Sequence, residues 1–527
     1  MDDDGGMEDQ GQRPNPFAGG RWDPPPLPGA AGEPALVERR DRGSPQAAIV
    51  AGVAIVVLVL TTFVMQQMSA RGGAAAEVPT SRIVAPRPGD MDAMSLKSLA
   101  KVGRRIQSLT QQSGGMGGTP ELDKLFLDNL DGVYRPESRL RAAVVVGEMA
   151  GASEAQARLV ALRDALDDPG ERRAWSYLSV EDRSLLAEDT QTLLDVYDGR
   201  VMLEPSASGG LQGRHGYFGK VVSRWGWPAD DAERAELLSG GPAIFLILIS
   251  FGLVVAFVVL GGFAAFITML VLMLSGRIRS RFVPPMPGGS VYLETVALFF
   301  LAFLLLHVGM GLAVDQKWVS EANSFYVSIA LQWALLPIIA WPIVRGTGFT
   351  RWRREIGLHS GEGVFKELLC GAAGYLAGVP VLLAAMVVSI VAVFIKAGVG
   401  GGGGSEPPAV ENPIVELVSK GGWAPWLLFA LATVWAPIVE ECIFRGAMYR
   451  HLRRRLGVLL TAVVVAFAFG TAHGYEWMML GPVIALGFNF SLMREWRGSL
   501  IGPIAAHCLH NATVLLLVIS LFSLLKD

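Results

Sequence analysis

From Pro242 onward the chain is a succession of apolar blocks, approximately 243–276, 295–314, 325–344, 368–395, 425–449, 457–475, 478–493 and 499–524, and another covers Ala47–Met65. Nothing else narrows the fold as much. Each block approaches the roughly 20 residues a helix needs to cross a hydrocarbon core of about 30 Å. In lipid every backbone amide must be paired within its own segment, so such blocks fold as helices. Of the 527 residues 51% are hydrophobic and 18% charged, whereas soluble domains carry about 25% charged residues. The 45 Lys and Arg against 48 Asp and Glu leave a formal net charge of −3, which offers no basic field to hold nucleic acid. Cys370, Cys442 and Cys508 all fall in apolar stretches, so no disulfide framework is expected. The expectation is an all-α polytopic helical membrane protein of about nine transmembrane helices, embedded in the cell or inner membrane.

The remaining sequence divides around these blocks. Residues 1–46 are rich in Pro and Gly with an acidic start, and read as a disordered tail. Residues 47–65 read as a transmembrane anchor. The alternative, a cleaved signal peptide, fits poorly with so long and acidic a leader. Residues 66–241 are polar and read as a mainly helical soluble domain with an unknown partner. There Ser153-x-x-Gln156 reads as a capping box, Ser179-x-x-Asp182 opens a helix closed near Gly199, and the lone His215 reads as a surface or loop histidine. Residues 242–365 form helices ahead of a core, residues 366–527.

Basic clusters orient the helices. Arg39, Arg40 and Arg42 flank the anchor, and Arg277/Arg279/Arg281, Arg351/Arg353/Arg354, Arg450/Arg453/Arg454/Arg455 and Arg494/Arg497 return to the same side if each block crosses once. Splitting the long block 243–276 into a hairpin would reverse all the later clusters. On this reading the N-terminus is cytoplasmic, and residues 66–241 and the C-terminus are extracytoplasmic. Gly400–Gly404 reads as a flexible linker in an external loop.

Ionisable groups inside a span cost at least about 2.5–3.5 kcal/mol each near its centre, so those present need a reason. Block 425–449 holds Glu440, Glu441 and Arg445. Glu441 and Arg445 are i and i+4 with the acid N-terminal, the favoured order for an ion pair, while Glu440 points about 100° away. Neutralising the nearby arginine cluster is the plain alternative, but Glu440 lies about 15 Å along the helix from Arg450. Block 457–475 ends in Phe469-x-x-x-His473, and block 499–524 holds His507, His510 and Asn511, again at helical spacing. If block 457–475 runs straight, His473 sits about 24 Å from its start, deeper than Glu440. A buried carboxylate can take a proton from water with His473 sharing that water, while His507 and Asn511 donate hydrogen bonds to a developing oxyanion. The set Glu440, His473, His507 could instead hold Zn²⁺, and a metal-free site fits the sequence equally well. HExxH, GxSxG and a glycine-rich phosphate loop are absent.

In order and spacing these residues resemble the signatures of the CPBP family, the type II CAAX prenyl endopeptidases and bacteriocin-processing or immunity membrane proteins. EExxxR stands as Glu440-Glu441-x-x-x-Arg445, FxxxH as Phe469-x-x-x-His473 and HxxxN as His507-x-x-x-Asn511. The resemblance is firm from Trp423 to Leu524 and loose from Trp352 onward. It implies an intramembrane endopeptidase with Glu440 as general base, His473 as its partner on the water, His507 and Asn511 as oxyanion site, and Glu441 with Arg445 as support. The expected substrate is a membrane-embedded or lipid-anchored peptide. Two other classes compete: a non-catalytic immunity or binding protein using the same helices, and a proton-relay transporter, which would show repeated halves that are not seen.

Overall fold

A computed structural model of the chain describes residues 40–76, 83, 86, 90–112, 130, 135–175, 178–203, 209–228, 231–399 and 422–525. The tail before Arg40 and the run Gly400–Gly404 lie outside these residues. No strand occurs among the described residues, and the protein is an all-α polytopic membrane protein.

The helices that matter are α1 (Pro45–Ala76), α2 (Met91–Gln112), α3 (Pro136–Ala150), α4 (Ala152–Asp167), α5 (Val180–Tyr197), α6 (Gly209–His215) and α7 (Tyr217–Val222). They are followed by α8 (Gly241–Leu274), α9 (Val291–Asp315), α10 (Asn323–Val344), α11 (Phe349–Ile356), α12 (Val364–Val399), α13 (Ala424–Arg453), α14 (Val458–Thr471), α15 (Leu480–Arg497) and α16 (Ile501–Leu525). Contacts divide them into two units, one of Met1–Ala70, Val258–Ala392 and Leu427–Thr513, the other of Arg71–Phe257, Val393–Trp426 and Val514–Asp527.

Seven helices among the described residues are long and apolar enough to span a membrane, where nine crossings were expected. The difference lies in α14, apolar but only 14 residues long, and α15, whose last turn carries Arg494, Glu495 and Arg497. The long block 243–276 forms one continuous helix, α8, and no hairpin. Block 325–344 tightens to a 3₁₀ turn at Leu336–Ala340 before it resumes at Trp341–Val344, with Pro337 and Pro342 at the two joins, each lacking an amide hydrogen for the helical ladder.

In the second unit Ser179 caps α5 as expected, its Oγ accepting from Asp182 N at 3.0 Å, and Gly199 follows the helix at φ 72°. Ser153 does not cap α4. Gly151, at φ 94°, makes a one-residue corner between α3 and α4, so Ser153 falls inside the helix. His215 is not on the surface. It is 1% exposed, with Nε2 3.0 Å from Asp189 Oδ2, and Arg214 Nε donates to the same oxygen at 2.7 Å. Burial would raise the Asp189 carboxyl, but the hydrogen bonds from Arg214 and His215 hold it below its ordinary value.

The first unit gathers its core on α13. Val439, Cys442, Ile443, Ala447 and Tyr449 are fully buried against Ile356 of α11, Val296 of α9 and Val465 of α14. Two arginines of the clusters read as marking one side of the membrane are built into this core. Arg494 is 1% exposed and donates to the Glu355 and Ile356 carbonyls at 3.3 Å. Arg497 grips the fully buried Glu367 with two hydrogen bonds, at 2.7 and 3.0 Å.

Candidate active site

The site is built on an irregular helix. Pro437 sits inside α13 and has no N–H, so it can donate neither to the carbonyl of Thr433 nor, in a wider turn, to that of Ala432. The chain answers with a π-helical turn at Leu431–Trp435, and a second one covers Glu441–Met448. Such turns are uncommon and recur at functional sites. Asn511 of α16 supplies the missing donor, its Nδ2 reaching Ala432 O at 2.7 Å. The proline therefore creates the acceptor that docks α16 onto α13.

Glu440 and Glu441 have different surroundings. Glu441 is fully buried, and its Oε1 accepts from Arg445 Nη1 at 2.9 Å and faces His507 Nδ1 at 3.0 Å. Arg445 is equally buried, donates to Gly487 O at 2.9 Å, and lies with its guanidinium over Phe469, 4.3 Å from the ring centre, and near Phe490 at 5.4 Å. Gly487 makes this approach possible, since a Cβ there would stand 3.0 Å from Phe469 and 3.2 Å from Arg445 Nη2. Glu440 keeps 18% of its side chain exposed. Its Oε2 has no hydrogen-bond partner but lies 3.8 Å from His473 Nε2 and 3.9 Å from His507 Nε2.

The tautomers follow from the other ring nitrogens. His473 Nδ1 is 2.7 Å from the Phe469 carbonyl, which can only accept, so this nitrogen carries the hydrogen. His507 Nδ1 faces the Glu441 carboxylate and donates likewise. In their neutral forms both imidazoles thus present an Nε2 lone pair toward Glu440. Phe490 stacks on His507 at 5.2 Å and Phe469 meets His473 edge-on at 4.6 Å, which fixes both rings.

Of the residues singled out in the sequence, Glu440, Glu441, Arg445, His473 and His507 come together. Asn511 commits one amide hydrogen to Ala432, and His510 turns aside to Tyr375 Oη at 3.1 Å. The expected depth mismatch does not keep them apart: His473, in the turn that follows α14, stands 3.8 Å from Glu440. Sequence reasoning missed Phe490 and Gly487, and also Tyr475, whose ring lies parallel to His473 at 6.2 Å. Zinc bound to nitrogen and oxygen at about 2.0–2.2 Å holds tetrahedral ligands roughly 3.3 Å apart. The separations of 3.8 and 3.9 Å are wider, and among the described residues no three His, Cys, Asp or Glu side chains are gathered as metal ligands. As placed, Glu440 stands farther from both imidazoles than tetrahedral zinc ligands stand from one another.

Comparison with known proteins finds a match over the stretch that contains these residues. Residues 422–513 match the family described as type II CAAX prenyl endopeptidase Rce1-like. The uncharacterized protein YpbD of Bacillus subtilis (strain 168) is 31% identical over 88 residues, 17% of this chain and 43% of that protein. The chain thus spans less than half the length of that curated relative. No solved structure matches.

Proposed function

We propose, from the premise that residues 422–513 form a type II CAAX prenyl endopeptidase Rce1-like domain, that this membrane protein is an intramembrane endopeptidase acting on a membrane-embedded or lipid-anchored peptide. The observation that carries the reading is the approach of two imidazole Nε2 atoms to one unpartnered oxygen of Glu440, at 3.8 and 3.9 Å. These gaps are too long for direct hydrogen bonds. They suit a water oxygen at about 2.8 Å from each atom.

Such a water can donate one hydrogen to Glu440 and the other to His473 Nε2 while its oxygen attacks the scissile carbonyl. Glu440 takes the proton as the carbon–oxygen bond forms, then delivers it to the leaving nitrogen as the carbon–nitrogen bond breaks. His507 helps the developing oxyanion only with a proton on Nε2. Glu441 holds the ring from its other nitrogen, and Arg445 holds Glu441 in place. By the family resemblance, Asn511 would add a second donor through the amide hydrogen that Ala432 does not use. Glu440 and His473 form the exposed edge, with 18% and 26% of their side chains open, so the substrate enters from their side.

The test is a comparison of membrane-proteome termini between cells carrying the wild type and Glu440→Gln, which keeps shape and removes the base. New termini should depend on Glu440 and vanish in the variant while the protein stays folded. Identical termini would sink the peptidase reading and favour a non-catalytic binding protein. One equivalent of zinc in purified protein, with activity lost on chelation, would replace the metal-free mechanism.

A further inference from the structure

The chain enters α1 through a short strap, Arg40–Ser44, built into the same unit as the candidate site. The carbonyl of Arg42 accepts from the N–H groups of Ser290 and Val291 at 2.8 and 3.1 Å, which satisfies donors that the start of α9 leaves open. Arg351 Nη2 donates to the carbonyl of Arg40 at 3.2 Å. Glycines clear the slot. A side chain on Gly289, at φ 76°, would strike the carbonyl of Asp41, and one on Gly43, at φ 96°, would strike Ser290.

Asp41 is the one acid in the run Arg39-Arg40-Asp41-Arg42, and it is 4% exposed. Its Oδ1 accepts from Arg450 Nη2 at 2.9 Å. Arg450 is buried, lies 3.3 Å from Glu355 Oε1, and sits over the Tyr292 ring at 5.2 Å. It stands about three turns beyond Glu440 on α13. Between the two lies the π-helical segment Glu441–Met448. A π segment that relaxes to α-helix turns everything on one side of it relative to the other, so a clamp at Arg450 fixes the direction in which Glu440 points.

We propose that Arg40–Ser44 is a strap that holds the basic end of α13, with Asp41 a positioning residue acting through Arg450 on the placement of Glu440 against His473 and His507. The effect on chemistry rests on the peptidase reading, whereas the docking of the strap does not.

The experiment uses the full chain in membranes and two readouts. Trypsin cleavage after Arg42 reports whether the strap is docked, and the initial rate of the Glu440-dependent termini reports chemistry. Asp41→Asn should speed cleavage after Arg42 and slow production of those termini, each on the order of 10-fold, and Asp41→Glu should recover both in part. An unchanged trypsin rate overturns the strap. Faster trypsin cleavage with an unchanged rate of product formation overturns the positioning role. If wild-type membranes yield no Glu440-dependent termini, the peptidase reading fails and the trypsin arm still decides the strap. Should Asp41→Asn fail to accumulate, Gly289→Ala crowds the same slot without touching the ion pair and is judged by the same two outcomes.

Discussion

Glu441 Oε1 serves Arg445 and His507 at once, while Glu440 Oε2, one residue earlier, has no hydrogen-bond partner. Removing each acid should therefore act on different properties. Glu441→Gln leaves the Arg445 guanidinium buried among aromatic rings without its ion-pair partner, which should cost about 3–5 kcal/mol of stability. Glu440→Gln should leave the unfolding temperature nearly unchanged and abolish cleavage. Thermal unfolding of the two purified variants in detergent checks this, and equal losses would contradict it. A second prediction concerns pH. The hydrogen bond from Arg497 to Glu362, with those from Arg281 and Lys366 and against the opposing effect of burial, holds the Glu362 carboxyl down at about 2. A depressed acid stabilises the fold fully above its ordinary value of about 4.5, and that contribution is lost as pH falls toward 2. The gap in unfolding temperature between wild type and Glu362→Gln should accordingly narrow across this range, and a constant gap would speak against the cluster.

At the scale of helices, the spacing i, i+4 correctly put Glu441 beside Arg445 and Phe469 beside His473, because both pairs sit within one helix or its closing turn. It carried no information on partners from other helices. The same spacing placed Asn511 beside His507, yet what orders Asn511 is a carbonyl made available by Pro437, a signal present in the sequence and visible only once α13 and α16 are seen side by side. Asn511→Leu should cost about 1–3 kcal/mol by orphaning the Ala432 carbonyl. Adding Pro437→Ala, which restores a backbone donor, should return part of that loss. A double-mutant cycle on unfolding free energies measures this, and strict additivity would deny the link. Gly487→Ala should also destabilise, by about 1–3 kcal/mol, by pushing Phe469 and Arg445 apart. Its unfolding temperature is the check, and a wild-type value would mean that α14 and α15 can separate freely.

For the whole molecule, the parity of crossings matters more than their number. The seven long helices among the described residues give an odd count, and α14 with α15 leaves that parity unchanged if the pair returns to its own side. The two chain ends should lie on opposite faces of the membrane, with the N-terminus cytoplasmic if the basic clusters orient the helices. Reporter fusions at each end test this, and reporters on the same face would overturn the parity. What the sequence determined alone was the helical, membrane-spanning class, because lipid leaves the backbone of long apolar segments no other way to pair its amides. It also determined contacts a single turn apart, because helix geometry sets them. Only the packed structure decided that Glu440, His473 and His507 face one another, that Arg494 and Arg497 are core residues, and that Asp41 pairs with Arg450. Those contacts join residues far apart in the chain, and distance along a sequence carries no record of which helix faces meet.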